Sequence, residues 1–282
     1  MREGFVSCHS PQGFHRMAYY EWGPPDAEKI LLCVHGLTRT GRDFDFIAAA
    51  LADRYRVVCP DVAGRGQSEW LGDGALYNNR KYVADMATLI AALGVEQVDW
   101  LGTSMGGLIG MLMASVPGNP IRRMIVNDVG PYVPKAALDR IDSYLGVEFR
   151  FKDLWQAGRH VREAYTTFGN LTEPQWDHLT RHSVRETEDG SYVLCYDPAI
   201  ATPFKAGPIE ALDIWESWDA IDCPVLVLRG RDTDLLLSET VQEMTSRGPK
   251  TNVIEFQHCG HAPSLMEPHQ IEAIRRWLAA EM

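Results

Sequence analysis

Short apolar runs alternate with segments of helical spacing through the first half of the chain. The runs are Ile30 to Val34, Arg56 to Cys59, Val98 to Leu101 and Met124 to Val126. Such alternation predicts a mostly parallel sheet covered on both faces by helices. Met17 to Trp22 reads as an antiparallel edge strand. Between the runs, Val83, Met86, Leu89, Ile90 and Leu93 recur at helical spacing, so a helix is predicted over 77–93, closed by Gly94 as its C-cap. The pattern resumes late. Pro224 to Leu228 and Val253 to Phe256 read as the last two strands, and Ile271 to Ala280 as the closing helix.

From Pro131 to Asp222 the alternation stops. This stretch carries several helix candidates, one opened by Thr172 and Gln175 at the spacing of a capping box, and Tyr192 to Tyr196 is its one strand candidate. The expected organisation is therefore a sheet-based core from 1–130 and 223–282 with a helical insertion at 131–222. Trp155, Trp176, Trp215 and Trp218 fall in the insertion, with Tyr132, Tyr144, Tyr165 and Phe168. Most such aromatics pack an insertion onto its body and a minority face a pocket. Trp155, Trp176 and Tyr132 are taken as the pocket candidates, because a bundle inserted between sheet strands covers the strand ends where open α/β sheets bind ligands.

The 282 residues, 45% apolar and 23% charged, have the composition of a globular protein. No apolar run approaches the roughly eighteen residues that span a bilayer, and Met1 to Phe5 lacks the apolar stretch of a signal peptide. The expectation is a cytoplasmic protein with no membrane partner. A formal charge of −11 repels a phosphate backbone, so nucleic acid is not an expected partner. The cysteines at 8, 33, 59, 195, 223 and 259 form no C-x-x-C pair and are expected to be free thiols. No metal ligand spacing stands out among histidines and cysteines, so no metal or cofactor is expected.

Gly102-Thr103-Ser104-Met105-Gly106 follows an apolar run and precedes a helix-like one. That context suits a nucleophile elbow, in which a sharp turn exposes a serine hydroxyl and small neighbours avoid the clash. A serine hydroxyl needs a base. Among nine histidines, His261 follows the final strand beside Gly260, which permits a tight bend; His258 lies closer to the strand end, and His35 reads as a structural hydrogen-bonder. The imidazole in turn needs a carboxylate to fix its tautomer. Gly230-Arg231-Asp232-Thr233-Asp234 offers two, and Asp234 is favoured because Ser238 reads as the N-cap of the next helix; Asp232 and Asp128 remain alternatives, Asp128 otherwise reading as a turn residue. The oxyanion donors expected are the amides of Met105 and Leu37.

Together these residues resemble the α/β-hydrolase superfamily. Val34-His35-Gly36-Leu37 is similar to its oxyanion loop, Asp61 to Ser68 to its turn after the fourth strand, and Gly102 to Gly107 to its elbow, while Asp234 and His261 stand where the family keeps acid and base. The resemblance implies an eight-stranded sheet with a helical cap inserted after strand six. It also sets aside the branches with an aspartate nucleophile, since Ser104 occupies that place.

The reading is a cofactor-independent serine hydrolase acting on small-molecule esters of small or medium acyl groups. One alternative is a C–C bond hydrolase or enol-lactonase of aromatic catabolism, for which Arg159, Arg162 and Arg181 are the extra polar groups. Another, from a different class, is a small-molecule receptor on the same fold. The sequence leaves a homo-oligomer open.

Overall fold

β3 (Ile30–Val34) shows how the sheet is built: Ile30, Leu32 and Val34 face one apolar layer, while Leu31 and Cys33 face another. A strand has period two, so a run apolar at every position is buried on both sides. The computed structural model describes residues 1–280. Before β3 come β1 (Arg2–Ser10) and β2 (Gly13–Trp22); after it come α1 (Asp45–Leu51), β4 (Arg56–Pro60), α2 (Asn79–Leu93), β5 (Val98–Thr103), α3 (Met105–Ala114) and β6 (Ile121–Asn127).

The chain then leaves the sheet. It forms β7 (Tyr132–Val133), α4 (Lys135–Tyr144), β8 (Arg150–Phe151), α5 (Leu154–Ala164), α6 (Glu173–Ser183), β9 (Val184–Glu186), β10 (Tyr192–Leu194), β11 (Leu212–Asp213) and α7 (Trp215–Asp219). It returns through β12 (Val225–Gly230), α8 (Ser238–Ser246), β13 (Thr251–Phe256) and α9 (Pro268–Ala279).

The eight-stranded sheet runs β1-β2-β4-β3-β5-β6-β12-β13, antiparallel at β1-β2 and β2-β4 and parallel from β4 onward. The strand expected at the edge, Met17–Trp22, is instead the second one, covered by β1. β1 escaped notice because its inward residues, Val6, Cys8 and Ser10, alternate with polar ones and include a serine, giving no continuous apolar run. One face of the sheet packs on Met86 and Leu89 of α2 and Ile109 of α3; the other packs on Ile47 and Leu51 of α1 and Ile274 and Leu278 of α9. Local signals hold at the helix ends. Asn78 caps α2 by accepting from the Lys81 amide, and Gly94 closes it at φ 71°, where an L side chain is strained. Ser238 is not the N-cap of α8 as expected: Leu237 holds that place and Ser238 is the first helical residue.

Beyond Tyr192–Leu194, four short strands occur in the insertion. β8-β10-β9 form one small sheet and β7 pairs with β11. Strands of two or three residues show no period from sequence alone. All six cysteines are free and buried. No helix among the described residues is long and apolar enough to cross a membrane.

Candidate active site

Ser104 sits at the turn between β5 and α3 with φ 51° and ψ −115°, a conformation that L residues rarely adopt. Packing explains the glycines around it. A Cβ on Gly102 would come within 2.3 Å of the Gly106 carbonyl, and one on Gly106 within 2.0 Å of the Val34 oxygen. The elbow is pinned by the Ser104 amide donating to the Asn127 oxygen at 2.9 Å and by the Trp100 indole donating to the Gly106 oxygen at 3.1 Å.

His261, on the loop after β13, presents Nε2 at 3.0 Å from Ser104 Oγ. Its Nδ1 lies 2.9 Å from Asp128 Oδ2. A carboxylate accepts only, so Nδ1 carries the proton and Nε2 takes the serine hydrogen. The carboxylate facing His261 is therefore Asp128 and not Asp234. Asp128 directly follows β6, in the left-handed region at φ 56°, and is fully buried. Its Oδ1 accepts from the Gly230 amide at 2.8 Å, and its Oδ2 also accepts from Thr233 Oγ1 at 2.6 Å. Asp234 points away: its side chain is 57% exposed and pairs with Arg140 of α4 at 2.7 Å. Asp232 is also exposed, and its amide donates to the Cys259 oxygen at 2.9 Å. Between them, buried Thr233 turns inward and reaches Asp128, which is why the aspartates on either side turn outward.

Neighbouring side chains hold this row. Asn127 Nδ2 donates to Thr103 Oγ1 at 3.1 Å and to the Pro263 oxygen at 2.9 Å, linking the elbow strand to the histidine loop. From the insertion, the Thr167 hydroxyl donates to the His261 carbonyl at 2.9 Å, and the Thr167 carbonyl accepts from the Gly260 amide at 2.8 Å. Nothing in the local sequence around Thr167 signals this. Cys259 is buried, and desolvation with the nearby Asp128 carboxylate pushes its thiol up to about 12.

Met105 opens α3 directly after Ser104, so its amide has no intrahelical acceptor and lies at the positive end of the helix. Among the described residues neither it nor the Leu37 amide donates to a protein acceptor. One fully buried guanidinium braces both segments: Arg65 Nε donates to the Leu37 carbonyl at 2.9 Å, and its NH2 lies 3.7 Å from Met105 Sδ. It also bonds the Ala63 oxygen and the Tyr82 hydroxyl, and has no carboxylate partner among the described residues. His35 is structural in its bonding: Nδ1 donates to the Gly36 oxygen at 2.7 Å and Nε2 accepts from the Val62 amide at 2.9 Å, while burial pushes it down to about 3.

The expected pocket aromatics behave differently. Trp155 is 69% exposed on α5, with Arg159 stacked on it 5.3 Å away, and lines an open groove toward α6 that includes none of Ser104, His261 or Asp128. It is a surface residue because α5 turns Ala157 and Val161 inward. Trp176 packs with Phe46, Tyr165 and Phe168 in a small cluster under Arg162, and Tyr132 lies on β7 paired with Asp213. Arg159 and Arg162 pair with Glu163 and Glu173 at the surface. Tyr144, Tyr165 and Tyr196 are grouped instead: burial with Tyr165 nearby raises the Tyr144 phenol, burial with Tyr165 and Tyr144 nearby raises that of Tyr196, and Tyr165 reaches Thr38 Oγ1 at 3.2 Å, one residue past Leu37.

A serine on a strained strand-to-helix turn, an imidazole from the last loop and a buried carboxylate from the middle of an eight-stranded sheet define a hydrolase frame. Residues 31–275 match the model of the alpha/beta hydrolase family, and the chain belongs to that family. It is 50% identical over 278 residues to 3-hydroxybutyrate-oligomer hydrolase of Cupriavidus necator, covering 96% of this chain and 95% of that one. An alpha/beta hydrolase structure from Novosphingobium aromaticivorans superposes with TM-score 0.86 at 34% identity over 98% of this chain and 97% of the other. E-2-(acetamidomethylene)succinate hydrolase shares the fold with TM-score 0.85 at 19% identity, over 99% of this chain and 100% of the other.

Proposed function

We propose that this hydrolase is a serine esterase and that its substrates are short oligomers of 3-hydroxybutyrate or closely related hydroxyacid esters. The observation that carries the mechanism is the hydrogen-bonded row Ser104–His261–Asp128. His261 Nε2 takes the Ser104 proton as Oγ attacks the ester carbonyl. Asp128 holds the imidazole in the required tautomer and offsets the charge it gains. The Met105 and Leu37 amides receive the developing oxyanion, with Arg65 fixing both segments and adding a desolvated positive charge nearby. His261 then gives its proton to the leaving alkoxide. In the second half-reaction it activates water, which releases the acid and restores Ser104.

Two observations support the substrate reading. The relative at 50% identity is a 3-hydroxybutyrate-oligomer hydrolase, aligned over nearly all of both chains. An oligoester also presents a carbonyl at every unit, and Tyr165 offers a hydroxyl beside Thr38 on the loop that carries Leu37, with the Tyr144 and Tyr196 phenols near it. The insertion at 131–222 acts in this reading as a cap over the strand ends.

The test is acid release from 3-hydroxybutyrate dimer and trimer, followed in a pH-stat beside nitrophenyl esters from acetyl to decanoyl. Oligomer turnover by the native chain, abolished in Ser104→Ala with an unchanged circular dichroism spectrum, is expected. Turnover that survives Ser104→Ala refutes the mechanism. Activity on simple esters alone refutes the substrate. A single turnover ending in a persistent adduct supports a receptor instead.

A further inference from the structure

His178 and His182 stand one turn apart on α6, and across the seam Asp45 begins α1 of the core. One ligand atom from each lies within 4.8 Å of the other two, and all three side chains are partly buried. We propose that this trio is a binding site for a late first-row divalent cation, of which zinc is the representative, joining the insertion to the core.

The geometry is that of a chelate. Histidines at i and i+4 share one helix face, the arrangement with which helices present two imidazoles to zinc. Their rings are 4.5 Å apart between centroids. His178 Nε2 lies 3.6 Å from Asp45 Oδ2. With metal–ligand bonds of about 2.0–2.1 Å, the ligand atoms of a tetrahedral site stand roughly 3.4 Å apart, so side-chain rotation alone closes the trio. Asp43 and Asp45 are paired with Arg39 and Arg42, two charges of each sign, so the cation would enter a site whose fixed charges are already balanced.

Two existing bonds compete, and both make the proposal specific. His178 Nε2 now donates to the Arg42 carbonyl at 2.9 Å, so coordination through Nε2 shifts the imidazole proton to Nδ1. Arg42 also grips Asp45 through Nε and NH2 at 2.5–2.9 Å, and a cation must share that carboxylate with it. The second grouping of ligand-type side chains, Cys8, His15 and Asp85, differs in being fully buried around the Lys81 ammonium, which already supplies its cation.

The experiment is calorimetric titration of the untagged full chain with zinc chloride, with thermal melting in zinc and in chelator as a second readout. Expected are one ion per chain and a higher melting temperature in zinc. His178→Ala and His182→Ala should each weaken binding about tenfold or more, as should Asp45→Asn. Arg42→Gln, which frees the carboxylate but keeps the carbonyl, should tighten it. Binding unchanged in the double variant His178→Ala/His182→Ala overturns the proposal, and so does absence of binding by the native chain. Weakening in Arg42→Gln would overturn the assignment of Asp45. His182→Asn, closer in size and polarity, replaces the alanine variant if the latter misfolds. None of these substitutions touches Ser104, His261 or Asp128.

Discussion

Replacing Asp128 by Asn separates the two carboxylate assignments sharply. Asp128 receives three hydrogen bonds: Gly230 N–H on Oδ1, and Thr233 Oγ1 and His261 Nδ1 on Oδ2. An amide has one oxygen for these three donors. With that oxygen toward Gly230, the NH2 faces His261 and selects the tautomer protonated on Nε2, which cannot accept from Ser104. With the amide reversed, NH2 meets the Gly230 N–H and leaves two buried donors opposed. The first arrangement keeps the fold and disables the base. Its expected cost is about 10³–10⁴ in kcat, or roughly 4–5.5 kcal/mol at 1.36 kcal/mol per decade. Asp234→Asn removes only an exposed pair with Arg140, which is worth about 0–1 kcal/mol of stability and nothing in the chemical step. Steady-state hydrolysis of nitrophenyl butyrate by both variants, with near-ultraviolet circular dichroism as a folding control, measures the contrast. A folded Asp128→Asn within about tenfold of native kcat, or an Asp234→Asn that falls as far as Asp128→Asn should, would refute the reasoning.

The elbow predicts that Gly106→Ala, which sets a methyl 2.0 Å from the Val34 oxygen, destabilises by about 3 kcal/mol or more and lowers the urea midpoint. His35 is held near 3 in the fold against about 6.5 unfolded, so between those values the folded state binds fewer protons. Stability therefore rises with pH across that window and is lost as pH falls through it, by up to about 5 kcal/mol; urea melts at pH 7 and pH 4.5 check this, and His35→Gln should flatten the slope. Arg65→Met, if folded, should lower kcat more than it raises KM and should weaken a boronic-acid inhibitor, because the buried charge acts near the oxyanion segments. Leu32→Ala, fully buried in the central sheet, should cost about 2–5 kcal/mol by chemical denaturation.

What the chain reveals to a reader of its sequence follows physical range. β3 coincides with its apolar run because burial on both faces demands an apolar residue at every position. Ser104 and His261 could be singled out because their constraints, small neighbours at a strained turn and a glycine beside a loop histidine, are local. Asp128 stands only as an alternative in the sequence because its neighbours along the chain describe a turn. Its distinction comes from Gly230 and Thr233, about a hundred residues away, which bury and bind it. Asp234 carries a good local signal and lacks those partners. Trp155 fails for a related reason: an aromatic side chain announces its size, whereas the helix face it occupies is decided by how Ala157 and Val161 dock.

Thr167 belongs to the insertion, yet both its hydroxyl and its carbonyl grip the turn from Gly260 to His261. Any change that displaces Thr167 would therefore be felt at the turn that holds the imidazole against the Ser104 hydroxyl. The placement of that imidazole thus depends on two separate stretches of the chain, the loop after β13 and the insertion.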